Sequence, residues 1–195
     1  MLKPGTISRL HNFYFNDPAY TNNVLRSMRE FFDMPNLTQN EAVSGTEESV
    51  GFYNEWFMYD FMLRKDMSVL SHFVEENPLN VSPEEIAVYR DLLDNRFGLF
   101  EILSIVSLQS MNLRLLATGE TFTVIEYAAT MDAQIGWGIF ARVARVGDHY
   151  EMVGADSMSV PLQDKKFKPY LDRILAIPKL TPKNIHIMLT TGEII

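Results

Sequence analysis

The residues able to do chemistry in this chain are few and scattered. The four histidines, His11, His72, His149 and His186, fall in four different stretches, and none has a partner at the i, i+4 spacing of a helical zinc pair. There is no cysteine, which excludes disulfides, thiolate zinc sites, iron–sulfur clusters and a cysteine nucleophile. The serines lack a Gly-x-Ser-x-Gly elbow. No phosphate-cradling glycine loop is present either: Gly136-Trp137-Gly138 lacks a third glycine and leads into a strand pattern instead of a helix. The expectation is therefore no catalytic residue, no metal and no cofactor, with a Ser/His/Asp arrangement left to the tertiary fold. Asp60 is the sharpest single acid, set among aromatic residues where a carboxylate must be paired, hydrogen-bonded or protonated. It reads either as a functional acid or as an anchor bonded to a backbone amide or to Arg64 at i+4. Glu75-Glu76 reads as a solvated face.

Three residues of one strand pattern, Trp137, Phe140 and Arg142, are the first candidates for partner binding. If Ala141, Val143 and Met152 face a core, alternation sends Phe140, Arg142, Ala144, Glu151 and Val153 to the other side. There an aromatic ring beside an arginine either forms an exposed platform for a peptide or a base, or lies under another layer of the fold. The second candidates are Lys165, Lys166 and Lys168 in the C-terminal segment.

These residues need elements to hold them. The densest is the run Gly51-Phe52-Tyr53-Asn54-Glu55-Trp56-Phe57-Met58-Tyr59-Asp60-Phe61-Met62-Leu63, six of whose thirteen residues are aromatic. As a helix it has only a narrow polar stripe, so it predicts a central core helix, with a ligand groove as the alternative. Before it, the opening forty residues predict a loop and one helix carrying Val24, Leu25, Met28, Phe31 and Phe32, followed by a polar, mobile linker over Thr38 to Val50. After it come a short helix with Leu70, Phe73 and Val74, closed at Asn77-Pro78, and a capping box at Ser82-Pro83-Glu84-Glu85. The box opens a helix running to about Arg96 and burying Ile86, Tyr89, Leu92 and Leu93.

Past Gly98 the apolar period changes from 3.6 to 2. Five strands are predicted, over Leu99 to Ser107, Asn112 to Ala117, Thr121 to Tyr127, Gly138 to Val146 and Tyr150 to Ala155. A two-residue turn at Thr118-Gly119 places Leu113 and Leu115 on the face of Phe122 and Val124. A turn at Gly147-Asp148 sets Arg145 opposite Tyr150, Val143 opposite Met152 and Ala141 opposite Gly154. Five short antiparallel strands point to a small, partly closed barrel of the SH3 or OB sort. Then Asp164 to Ile177 predicts a helix with Phe167, Tyr170, Leu171 and Ile174 inward, and Asn184 to Leu189 alternates as an edge strand or hairpin arm turning at Thr191-Gly192. The fold class is α+β: a helical region over residues 1–97, a five-stranded antiparallel barrel over 98–161, and a C-terminal helix and strand over 162–195 packed on the rest.

At 195 residues and 47% apolar the chain can bury a substantial core, which excludes global disorder. No basic-flanked apolar leader and no apolar run near eighteen residues is present, so the sequence predicts neither export nor a membrane span and fits the cytoplasm. The net charge of −8 is uneven. From Val160 onward six basic residues face three acidic ones, a tail of +3 on a body of −11. An acidic body repels phosphates, so a nucleic-acid contact would have to use the tail, which otherwise reads as a solvated lysine face.

The order of parts resembles the region that precedes the zinc knuckle in uncharacterised bacterial SEC-C motif proteins. The resemblance is carried by Trp56-Phe57-Met58-Tyr59-Asp60, by Leu70 and Phe73-Val74-Glu75-Glu76-Asn77-Pro78, by the helix and strands that follow with Thr118-Gly119-Glu120, and by Arg142-Val143-Ala144-Arg145-Val146-Gly147-Asp148. It spans roughly Gly51 to Pro161 and implies a shared fold without an established activity. The knuckle is built from cysteines, which this chain lacks, so no zinc role is carried over. The function expected is a noncatalytic cytoplasmic module binding a protein or peptide. RNA or single-stranded nucleic-acid binding through the barrel and the basic tail is the second expectation, and a hydrolase with an unrecognised site the third.

Overall fold

A computed structural model describes residues 2–39, 46–154 and 158–192. The helical part opens with two helices where the sequence predicted one. These are α1 (Thr6–Asn16), which buries Leu10 and Tyr14, and α2 (Thr21–Phe32), which buries Val24 and Phe31. Between them the Asp17 carboxylate accepts from the Ala19 amide and starts a single 3-10 turn at Pro18. Of the expected polar linker over Thr38 to Val50, residues 40–45 lie outside the described residues, and from residue 47 the chain is already helical. The aromatic run forms α3 (Glu47–Tyr59), capped by the Thr46 hydroxyl on the Ser49 amide at 3.2 Å. Phe52, Tyr53, Trp56, Phe57, Met58 and Tyr59 are all buried, as a core helix requires. It stops at Asp60, short of Leu63. There the chain reverses through β1 (Met62–Arg64) and β2 (Met67–Ser68), a two-stranded ribbon turning at Asp66.

Ser68 caps α4 (Val69–Glu76) by accepting from the Ser71 amide. Ser82 caps α5 (Pro83–Asp91) as expected, by accepting from the Glu85 amide, but the Glu85 carboxylate is engaged by Arg9 at 2.5 Å and does not close the box. Helix α5 ends before Leu92, and Leu93 is exposed instead of buried.

Five strands close into a barrel: β3 (Asn95–Val106), β4 (Ser110–Leu115), β5 (Thr121–Ile125), β6 (Gly138–Val146) and β7 (His149–Met152). Around it run β3-β4-β5-β7-β6, and β6 returns to β3. The contacts are antiparallel except for β5 with β7, which is parallel, so the sheet is mixed. A sixth strand, β8 (Met158–Val160), flanks β6. The β6–β7 hairpin has the expected register, Arg145 opposite Tyr150 and Val143 opposite Met152, with Gly147 at φ 66° in the turn, a conformation glycine adopts without strain. Strand β7 ends at Met152, so Ala141 has no partner in it, and Ala155 lies outside the described residues. The β4–β5 connection is longer than two residues, since the Leu115 amide donates to the Glu120 carbonyl.

Alternation divides the barrel wall between two cores. Phe100, Ile102, Met111, Leu113, Phe122, Val124, Ile139, Ala141 and Val143 fill the barrel. Leu99, Phe140, Ala144, Val146 and Val160 face outward into the helical core, which the aromatic residues of α3 dominate. Helices α6 (Lys168–Leu175) and α7 (Pro182–Thr191) complete that layer. In α6 Ile174 is buried, but Tyr170 faces solvent.

The final segment corrects the expected strand: it is a helix. Pro182 sits in its first turn, the Asn184 side-chain oxygen accepts from the Thr181 amide at 2.9 Å, and Gly192 at φ 70° ends it. Ile185 is buried, His186 stacks on Phe31 at 4.8 Å, and Leu189, inward in a strand reading, is exposed. Among the described residues no helix is long and apolar enough to cross a membrane.

Candidate functional site

Three places in the fold gather groups that could act: a buried ion cluster at Arg142, dispersed histidine pairs, and an apolar end of the barrel.

Arg142 lies on the outward face of β6, against α3. Its Nε donates to Glu55 Oε1 at 2.8 Å, Nη1 to Asn95 Oδ1 at 2.6 Å and Nη2 to Asp60 Oδ2 at 2.5 Å. The guanidinium stacks over Tyr59 at 4.4 Å and lies 5.2 Å from the Phe97 ring. Lys179 Nζ reaches the other Asp60 oxygen at 3.1 Å. Burial works against the arginine's charge, yet Glu55 and Asp60 outweigh it and hold the guanidinium above its ordinary pKa. Burial likewise raises the Tyr59 phenol, with Arg142 opposing. On one side of the cluster Glu55 packs against the backbone of Gly154, where an added Cβ would lie 2.6 Å from Oε2. On the other, a cleft of about 380 Å³ is lined by Tyr59, Asp60, Asn95, Phe97, Arg142 and Lys179.

This arrangement ties α3, β3, β6 and the C-terminal segment together. Glu55 and Asp60 are paired with cations, and among the described residues no histidine is bonded to the cluster. Asp60 is thus an anchor, but through Arg142 and Lys179 across the fold. Arg64 turns instead to Glu76 at 3.5 Å.

The histidines stay apart. Tyr14 Oη meets His72 Nδ1 at 2.7 Å inside the helical core, His11 Nε2 meets Asn54 Oδ1 at 2.8 Å, and His149 lies between Asp148 and Glu151 on the β6–β7 hairpin. Burial lowers His11, His72 and His186, while hydrogen bonds that its ring makes to Asp148 and Glu151 raise His149. Among the described residues no cluster of His, Asp and Glu fits a metal ion.

Trp137, Phe140 and Arg142 do not form one exposed platform, and that expectation is corrected. Phe140 is 0% and Arg142 2% exposed, because the helical layer covers their side of β6. Trp137 is half-buried against the barrel core at the start of β6. Lys165, Lys166 and Lys168 are exposed in a different element, before and at the start of α6.

The third place was not anticipated. Around one end of the barrel Leu103, Val106, Leu108, Tyr127, Met131 and Ile135 are all exposed. Three links join the segments that carry them: the Gly136 amide donates to the Ile102 carbonyl, the Leu108 amide to Thr130 Oγ1, and the Glu126 amide to the Gln109 carbonyl. The sequence held a signal for it, since residues 126–137 carry four large apolar side chains, Tyr127, Met131, Ile135 and Trp137, between two strands without strand or long-helix periodicity.

No family model, curated protein or solved structure matches this chain.

Proposed function

We propose that this chain is a noncatalytic cytoplasmic binding module whose partner is a protein or peptide, related in fold to the region preceding the zinc knuckle of bacterial SEC-C motif proteins. The observation that carries the reading is the apolar end of the barrel. Six large apolar side chains are exposed there on segments that hydrogen bonds join, and apolar surface gathered at one end of a folded domain marks an interaction site. The ion cluster at Arg142 supports the same reading, because its charges are spent on joining elements.

A second reading, RNA or single-stranded nucleic acid, draws on exposed Lys165, Lys166 and Lys168 beside exposed Tyr170. The acidic body works against it. The two are separated by affinity purification from the native host with and without nuclease, comparing wild type with Met131→Asp/Ile135→Asp and with Lys165→Glu/Lys166→Glu. The protein reading expects nuclease-resistant partners lost only in the first variant. Partners lost on nuclease treatment and in the second variant would replace it with the nucleic-acid reading.

A further inference from the structure

Two local departures from regular geometry push apolar side chains out of this barrel end. The β3–β4 register shifts between Ile102 and Ser104, which leaves Leu103 between the paired residues and exposed. Leu108 sits at φ 56° in the β3–β4 turn, a left-handed conformation that a bulky residue adopts only under strain, with its side chain 55% exposed. Thr130 Oγ1 holds that turn by accepting from the Leu108 amide at 2.8 Å, and binds the 3-10 turn at Met131 to it. Met131 and Ile135 are each 63% exposed. A barrel whose only requirement was its own core would turn these side chains inward or replace them.

The two segments that carry the patch hold charges of one sign. Residues 103–112 and 126–137 contain Glu126 and Asp132 and no lysine or arginine. Glu101, at the base of the patch, is already tied to Arg114. Lys3 lines the adjoining cleft together with Glu126 and Tyr127, while the segments that carry the patch hold only the two carboxylates.

We infer that this end of the barrel binds a polypeptide segment whose large apolar side chains are flanked by lysine or arginine. Leu108, Met131 and Ile135 supply the apolar contact, and Glu126 and Asp132 select the flanking charge. An anionic lipid surface and a nucleic acid are both disfavoured by the same carboxylates. The inference rests on the protein-binding reading above and narrows it to one class of partner.

The test is selection of a random displayed peptide library on the immobilised full chain, counter-selected on Met131→Asp/Ile135→Asp. Both positions are exposed, and thermal melts check that the variant folds. The expected result is recovered peptides rich in large apolar residues together with Lys or Arg. Their affinity should fall about tenfold in Asp132→Lys/Glu126→Gln, in which Gln keeps the acceptor that bonds the Ala129 amide. Patch-dependent peptides with no basic excess, or unmoved by the charge variant, would overturn this inference and leave the binding-module reading standing. Self-association abolished by Met131→Asp/Ile135→Asp would overturn it in favour of a second copy of the chain. No patch-dependent peptide, or patch-dependent binding to phosphatidylcholine/phosphatidylserine vesicles, would overturn both.

Discussion

Replacing Arg142 with methionine removes one guanidinium and strands what it held. Met fills much of the same volume, so the cavity left is small and the effect is electrostatic. In the native protein the Glu55 and Asp60 side chains are 2% and 5% exposed, with Arg142 between them. Asp60 keeps Lys179, but Glu55 and the Asn95 side-chain oxygen lose the donors that Arg142 gives them. Breaking a buried pair by removing one partner costs about 3–5 kcal/mol, since a desolvated charge remains. For a chain of this size that lowers Tm by roughly 6–20 °C, against a total stability on the order of 5–15 kcal/mol. The loss has a pH signature. A buried carboxylate without its cation takes up a proton more readily folded than unfolded, so the variant's deficit should shrink as pH falls from neutral toward the carboxylate range. Adding Glu55→Gln should recover much of the stability at neutral pH, because the stranded charge is then gone. The assay is a thermal and denaturant melt of wild type, Arg142→Met and Glu55→Gln/Arg142→Met across pH. A single variant within about 1 kcal/mol of wild type at neutral pH, or a double variant no more stable than the single, would refute the reasoning.

Other outcomes follow from the same geometry. Trp56→Ala, in the middle of α3 and 4% exposed, should cost about 3–5 kcal/mol in a denaturant melt. Asn184→Ala removes the acceptor for the Thr181 amide and should cost about 0.5–2 kcal/mol, with NMR shifts showing fraying from the start of α7. His72 is held below its ordinary pKa by burial, so the unfolded chain takes up its proton first and the fold loses stability as pH drops below about 6.5. His72→Gln should flatten that dependence in melts taken across this range.

Much of the architecture follows from local rules that act within a few residues. Ser68, Ser82 and Thr46 cap helices because a side-chain oxygen three residues before an orphan amide needs no distant partner. The β6–β7 register was readable because Gly147-Asp148 allows one tight turn, which fixes every pair in the hairpin. The same kind of rule misled at the end of the chain. Ile185, Ile187 and Leu189 alternate like a strand, but Thr181-Pro182-Lys183-Asn184 is a helix start of the kind recognised at Ser82-Pro83-Glu84-Glu85, and docking on α3 chose the helix.

What no local rule could decide was which side of a strand meets water. Alternation placed Phe140 and Arg142 together on the outer face of β6, and either an exposed platform or a covered one satisfied it. Only the packing of α3 over that face made Phe140 core and gave Arg142 its acids, Glu55 and Asp60, which lie more than eighty residues away in sequence. The closing parallel contact of β5 with β7, and the loop that carries Met131 and Ile135 beside Leu108, are likewise long-range pairings. The sequence by itself determined the core helix α3, the cap of α5, the β6–β7 hairpin and the change of apolar period after Gly98. Tertiary structure alone decided which faces were covered, because burial is a property of two surfaces and a single segment specifies only one of them.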